Sequence, residues 1–140
     1  MIILDTNVLS EFIRPSPNAR VTSWVDGLDT DSVFITSMTS AELVSGVAVM
    51  PAGRRRTQLG ILVARIVDVG FAGRVLPFDA SAARRYAEVR SLRTSAGRPI
   101  GVSDAIIAAT ALSVDADRLV TRNTKDFMGV GLEIFNPWID

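Results

Sequence analysis

Four carboxylates stand where this chain could do chemistry: Asp5, Glu42, Asp104 and Asp126. Asp5 ends the apolar opening run "MIIL" and is followed at once by Thr6 and Asn7. Glu42 lies in "TSAEL", Asp104 in "GVSDAII" and Asp126 in "LVTRNTKDF", just after Asn123. The 140 residues include no Cys and no His. That excludes disulfides, thiolate and imidazole nucleophiles, Cys/His zinc sites and a Ser-His-Asp triad. What remains for chemistry is carboxylates, hydroxyls, amides, Lys, Arg, Tyr and a hard metal ion. Several carboxylates cannot stay ionised side by side without a cation or raised pKa values. Oxygen-only ligands suit Mg²⁺ or Mn²⁺, ions that polarise a phosphoryl oxygen and activate water.

The elements that must position these groups follow from apolar spacing. Residues 2–4 predict a short buried strand, with a helical turn over 8–13 stopped by "RPSP". Val21, Trp24, Val25 and Leu28 recur at helical spacing. "SVFIT" at 32–36 predicts a second strand, then a helix with Thr39 as N-cap and Glu42 three residues on. Residues 52–68 predict a helix with Leu59, Leu62, Val63 and Ile66 on one face. "RVLPF" at 74–78 predicts a strand that Pro77 places at an edge or an end. Residues 80–93 predict a helix with Tyr86, Val89 and Leu92 toward the core and Arg84, Arg85, Arg90 and Arg93 on the remaining surface. A loop at 94–101 precedes an Ala-rich helix at 103–112 capped by Ser103, and strands follow at 117–121 and 132–135. Strands alternating with helices imply an α/β fold, a mostly parallel sheet covered on both faces.

The bulk numbers agree. At 48% hydrophobic and 21% charged, the composition is that of one globular domain over 1–140. Fifteen basic and fifteen acidic residues cancel, so net charge alone does not point to nucleic acid. The basic residues cluster instead, at Arg54, Arg55 and Arg56 and more loosely from Arg84 to Arg98. No basic leader precedes the first apolar run, and no stretch reaches the ~20 apolar residues of a membrane span. With no Cys, a cytoplasmic location without membrane contact is expected.

In open α/β sheets, ligands bind beyond the carboxyl ends of the strands. Asp5 sits at such an end, Glu42 follows the second strand, and Thr121, Asn123 and Asp126 follow a later one. Asp104 begins the helix before it. If these strands are neighbours, the acids share one crevice. Taken singly, each has a plainer reading. Glu42 could complete a capping box with Thr39, Asp104 could be a first-turn acid favoured by its helix, and Asp5 could simply end a strand.

Four blocks in this order resemble a known family. "ILDTNVLSEF" at 3–12, "TSMTSAEL" at 36–43, "GVSDAIIAATAL" at 101–112 and "LVTRNTKDF" at 119–127 are similar to the motifs of PIN-domain ribonucleases, specifically VapC-type toxins of toxin–antitoxin pairs. The closing "FNPWID" is similar to the ending of the FitB-like branch. The resemblance implies a three-layer α/β/α fold with about five mostly parallel strands, and Mg²⁺- or Mn²⁺-dependent endonucleolytic hydrolysis of RNA leaving 5′-phosphates. It carries Asp5, Glu42 and Asp104 over as metal-binding, catalytic acids and adds Asp126 as a fourth, contributing to a second metal or to structure. Some relatives have Asp where this chain has Asn123, so Asn123 is expected to orient a ligand or water. Thr6, Asn7, Ser103 and Thr121 are expected in support, Ser103 either capping its helix or bonding Asp5. Arg98 is the better phosphate candidate. Arg54 and Arg55 either track RNA or form a solvated helix start. The implied partners are a VapB-like antitoxin and a second copy of the chain, in a homodimer and in heterotetrameric or heterooctameric complexes. Two readings compete: a metal-dependent DNA nuclease and a noncatalytic RNA- or protein-binding module of the same fold. An NTPase would need a Gly-rich phosphate loop that the chain lacks.

Overall fold

The computed structural model describes residues 1–140. Five strands, β1 (Ile2–Leu4), β2 (Val33–Thr36), β3 (Val75–Leu76), β4 (Arg118–Val120) and β5 (Ile134–Phe135), form one sheet in the order β3-β2-β1-β4-β5. Every neighbouring pair is parallel, with Ile3 opposite Phe34 on one side and Leu119 on the other. The all-parallel order requires crossovers. These are α1 (Thr6–Glu11), α2 (Ala19–Asp26), α3 (Ser37–Ala48), α4 (Arg54–Ala64), α5 (Ala80–Ser95) and α6 (Val102–Ser113).

Side chains alternate across the sheet and build two cores. Leu4, Ile35 and Val120 pack with Val8, Leu9, Val21, Leu43 and Val63 from α1 to α4. Ile3 and Leu119 pack on the other face with Val89 of α5, with Ala105, Ile107, Ala108 and Ala111 of α6, and with Phe127. The Ala-rich sequence of α6 lets that helix lie close to both the sheet and α5. Each fully buried Leu, Ile or Phe contributes about 1.5–3 kcal/mol. The two cores therefore carry the stability, and the rim of the sheet is free to hold mutually repelling groups. No helix is long and apolar enough to cross a membrane.

Several sequence expectations shift. The first helix begins at Thr6 rather than Val8, because Asp5 caps it. Helix α3 is capped by Thr36, not Thr39: Thr36 Oγ1 accepts the Thr39 amide at 3.1 Å. That amide is therefore already taken, and Glu42 is not a capping-box residue. Helix α6 starts after Gly101, so Ser103 lies inside its first turn and makes neither a cap bond nor a bond to Asp5. The predicted helix over 52–68 becomes α4 followed by a wider π turn at Arg65–Gly70, which brings Val67 and Phe71 into the core with Val63 while Leu62 stays exposed. In α5 the inward set is Ala82, Val89 and Arg93; Leu92 is exposed and Arg93 is buried, the reverse of the expectation. Pro77 does follow an edge strand.

Candidate active site

The chain runs from β1 outward to β2 and β3, then returns to place β4 and β5 on the other side of β1. The strand order reverses between β1 and β4, and the crevice beyond their carboxyl ends is the natural ligand site of such a sheet. Asp5 leaves β1 there, and Thr121 leaves β4 beside it.

Asp5 is held on both oxygens and is only 4% exposed. Its Oδ1 accepts the Thr6 amide at 2.8 Å, which is the N-cap bond of α1. Its Oδ2 accepts Asn7 Nδ2 at 2.8 Å and Thr121 Oγ1 at 2.7 Å. A carboxylate offers about four lone-pair positions, so Oδ1 keeps an unclaimed one. The holders are themselves held. Asn7 Oδ1 accepts the Arg122 amide at 3.1 Å, and Thr121 Oγ1 accepts the Asn123 amide at 3.0 Å. Thr6 Oγ1 reaches across to donate to Glu42 Oε1 at 2.8 Å, so the adjacent α1 and α3 present their carboxylates together.

The acids sense one another. Burial pushes the Asp5 carboxyl up, partly offset by the bonds from Thr121, Thr6 and Asn7, and the charge of Asp126 adds to the rise. Burial also raises Glu42, against the bond from Thr6, with Asp5 adding repulsion. Asp104, in the first turn of α6, is pushed up to about 6 by burial first, then by the charges of Asp5, Asp126 and Glu42; the Arg93 guanidinium pulls the other way. The four acids thus lie within reach of one another's charge. No three of them are gathered closely enough to enclose an ion by themselves. The donor set nonetheless fits Mg²⁺ or Mn²⁺: it is all oxygen, mutually repelling, and has free lone pairs. Mg²⁺ is ordinarily held by one or two carboxylates with water completing its shell.

The remaining predicted residues divide. Thr6, Asn7 and Thr121 orient the acids directly. Asn123 opens the short 3₁₀ turn Thr124–Phe127 that carries Asp126, and both of their side chains are exposed. Arg98 lies in the loop before α6, exposed and without an ion pair. Arg54 and Arg55 are not brought to the acids. They occupy the exposed first turn of α4, where Arg55 lines a hollow with Arg14 and Pro15. Two buried charged residues carry no signal in apolar periodicity. Arg93, expected on the surface, is buried. Glu11 is 2% exposed and accepts Arg14 Nη1 at 2.9 Å and the Asn18 amide at 2.8 Å, tying the end of α1 to the start of α2. The i,i+3 spacing of Glu11 and Arg14 was the available signal.

A parallel α/β/α domain with acids at its switch point is shared by several classes of phosphoryl-transfer protein, and similarity to known chains decides among them. The chain belongs to the PIN domain family, whose model matches residues 2–130, and within it to the VapC- and FitB-type toxins. It is 41% identical over 140 residues to toxin FitB of Neisseria gonorrhoeae, covering 100% of both chains. It is 42% identical over 138 residues to VapC ribonuclease Y4jK of Sinorhizobium fredii, covering 99% of this chain and 98% of that one. A solved structure of FitAB bound to an IR36 DNA fragment superposes with a TM-score of 0.92 at 40% identity, covering 99% of this chain and 96% of the other.

Proposed function

We propose that this protein is a divalent-metal-dependent endoribonuclease toxin, with Asp5, Glu42, Asp104 and Asp126 as its acids and Mg²⁺ or Mn²⁺ as its ion. The observation that carries the reading is the hydrogen-bonded array beyond the carboxyl ends of β1 and β4, in which Thr6, Asn7 and Thr121 hold Asp5 and Thr6 also holds Glu42. When bound, the ion would supply Lewis acidity at a phosphodiester and a nucleophilic water at neutral pH. The chain's own part is orientation. Thr121, Asn7 and the Thr6 amide hold Asp5 in one rotamer, and Thr6 Oγ1 sets Glu42 against it. Asp104 is presented from the start of α6. Asn123, exposed beside the crevice, orients a ligand or water, and Arg98 contacts RNA phosphate.

RNA is the substrate class favoured by the similarity to the Y4jK ribonuclease. A small cognate antitoxin of the VapB or FitA kind restrains the activity, as the FitAB assembly on DNA suggests. The chain itself pairs as a homodimer within such complexes. An apolar groove of about 570 Å³ between α3 and α4, lined by half-exposed Val44 with Val47, Gly60 and Val63, supports a protein partner on that face.

The test uses antitoxin-free protein and a panel of structured RNAs and matched DNAs, in Mg²⁺, Mn²⁺ or EDTA, beside Asp104→Asn. Metal-dependent RNA fragments with 5′-phosphates, absent in the variant, are expected. Cleavage of DNA alone would transfer the reading to a DNA nuclease. Tight RNA binding without turnover, even on total cellular RNA, would leave a binding module.

A further inference from the structure

Arg93 is buried, at 6% exposure, in the last turn of α5. Its Nε donates to the Arg98 carbonyl at 2.6 Å, and its Nη1 donates to the carbonyls of Asp126 at 2.7 Å and Met128 at 3.0 Å. Its own carbonyl accepts the Arg98 amide at 2.9 Å, while the Gly97 amide bonds Thr94 O at 3.0 Å. Those two bonds, with Gly97 at φ +70°, make a Schellman end to α5. Arg93 thus grips Arg98 through both its backbone and its side chain.

The guanidinium has no carboxylate partner; the ion pairs join Met1–Asp117, Arg14–Glu11, Arg85–Glu88 and Arg118–Glu133. A buried cation resting only on neutral carbonyls is electrostatically incomplete. The negative end of α5 and the nearby acidic crevice complete it. The contacts also flank Phe127, which is fully buried. Burial of Phe127 sets how deep the 126–128 segment lies. Bonds to the carbonyls on either side of it fix the rotation of that segment about its axis, and hence the direction of the Asp126 side chain. Asp126 makes no side-chain hydrogen bond of its own, and its amide is held only by Asn123 O at 3.0 Å.

We infer that Arg93 is a positioning residue for the reaction: its guanidinium fork fixes the backbone of Asp126 and ties it to the Arg98 loop that leads into the first turn of α6. The inference rests on the nuclease reading above. It assigns to one buried side chain the placement of the fourth acid against the end of α5.

The experiment is a Mn²⁺ titration followed by the electron paramagnetic resonance of the free ion, with thermal melts and RNA-cleavage kinetics alongside. It compares wild type, Arg93→Lys, Asp126→Asn and the double variant. Lysine keeps the charge and loses the fork. Arg93→Lys is expected to weaken Mn²⁺ binding about 10- to 100-fold, the range for groups that orient metal ligands. It should lower kcat with little change in KM, and the double variant should bind no more weakly than Asp126→Asn alone. Equal Mn²⁺ affinity in wild type and Arg93→Lys, or losses in the two single variants that simply multiply, would overturn the assignment. If Arg93→Lys melts below the assay temperature, Arg93→Gln replaces it. Its amide can still donate, but it carries no charge. Positioning predicts weaker binding there too, whereas removal of a repelling cation alone predicts tighter binding and would refute the role. A wild type that neither binds Mn²⁺ nor cuts RNA would remove the nuclease reading itself, and this inference with it.

Discussion

Asp104→Asn should stabilise the metal-free protein while abolishing its activity. Asp104 ionises at about 6 in the folded chain rather than at 3.8, because burial and three neighbouring acids oppose its charge. Between those two values the unfolded chain has already lost the proton that the folded chain keeps. The folded state therefore binds more protons, and stability falls as pH rises through about 6. At about 1.4 kcal/mol for each pH unit, the full displacement would amount to about 3 kcal/mol. Asp104 is only half buried, so solvent screening reduces this to about 1–2 kcal/mol. For a domain of this size that corresponds to roughly 3–8 °C in Tm. The assay is thermal unfolding in EDTA at pH 4.5 and pH 8, followed by pH 8 with excess Mn²⁺. The variant should exceed wild type at pH 8 by clearly more than at pH 4.5, where the folded carboxyl still keeps its proton. Excess Mn²⁺ should reverse the order, since only wild type gains full binding energy. An equal Tm difference at both pH values, or a less stable variant at pH 8, would show that Asp104 is not under electrostatic load.

Thr121→Val should lose about 1–3 kcal/mol of stability, because the buried Asp5 carboxylate and the Asn123 amide each lose a partner. Metal affinity should fall about tenfold or more with it; denaturant melts and Mn²⁺ titration read the two effects separately. Glu11→Ala should cost about 1–2 kcal/mol by removing two hydrogen bonds to a charged acceptor, with the exposed Arg14 returning to water, yet leave kcat unchanged in the folded fraction; a selective loss of kcat would place Glu11 in the reaction. Gly97→Ala should cost about 1–2 kcal/mol, because Gly97 sits at φ +70° with open space around the missing Cβ. A neutral effect in chemical denaturation would mean that the end of α5 rearranges freely. Mn²⁺ affinity of the wild type should weaken steadily as pH drops below about 6, where Asp104 takes up its proton; a flat isothermal-titration profile from pH 5 to 8 would remove Asp104 from the ligand set.

The short strands at 2–4, 32–36 and 117–121 were legible as one-dimensional patterns, each overlapping a strand of the sheet, because strand burial and strand ends leave local signatures. So were the four acids, which the absence of Cys and His left as the main candidates for chemistry. Burial within helices was less legible. In α5 the apolar Leu92 faces solvent and the charged Arg93 faces inward, because the carbonyls of Arg98, Asp126 and Met128 converge on it from segments remote in the chain. Periodicity counts apolar positions and has no access to acceptors supplied by another segment. Glu42 shows the same limit: its spacing from Thr39 imitates a capping box, but Thr36 has already taken the amide and Thr6, from another helix, claims the carboxylate. Residue types and spacing thus determined the fold class and which acids were available. The strand order β3-β2-β1-β4-β5 decided that Asp5 and Thr121 meet and that Thr6 reaches Glu42, because hydrogen bonds depend on distance in space rather than along the chain.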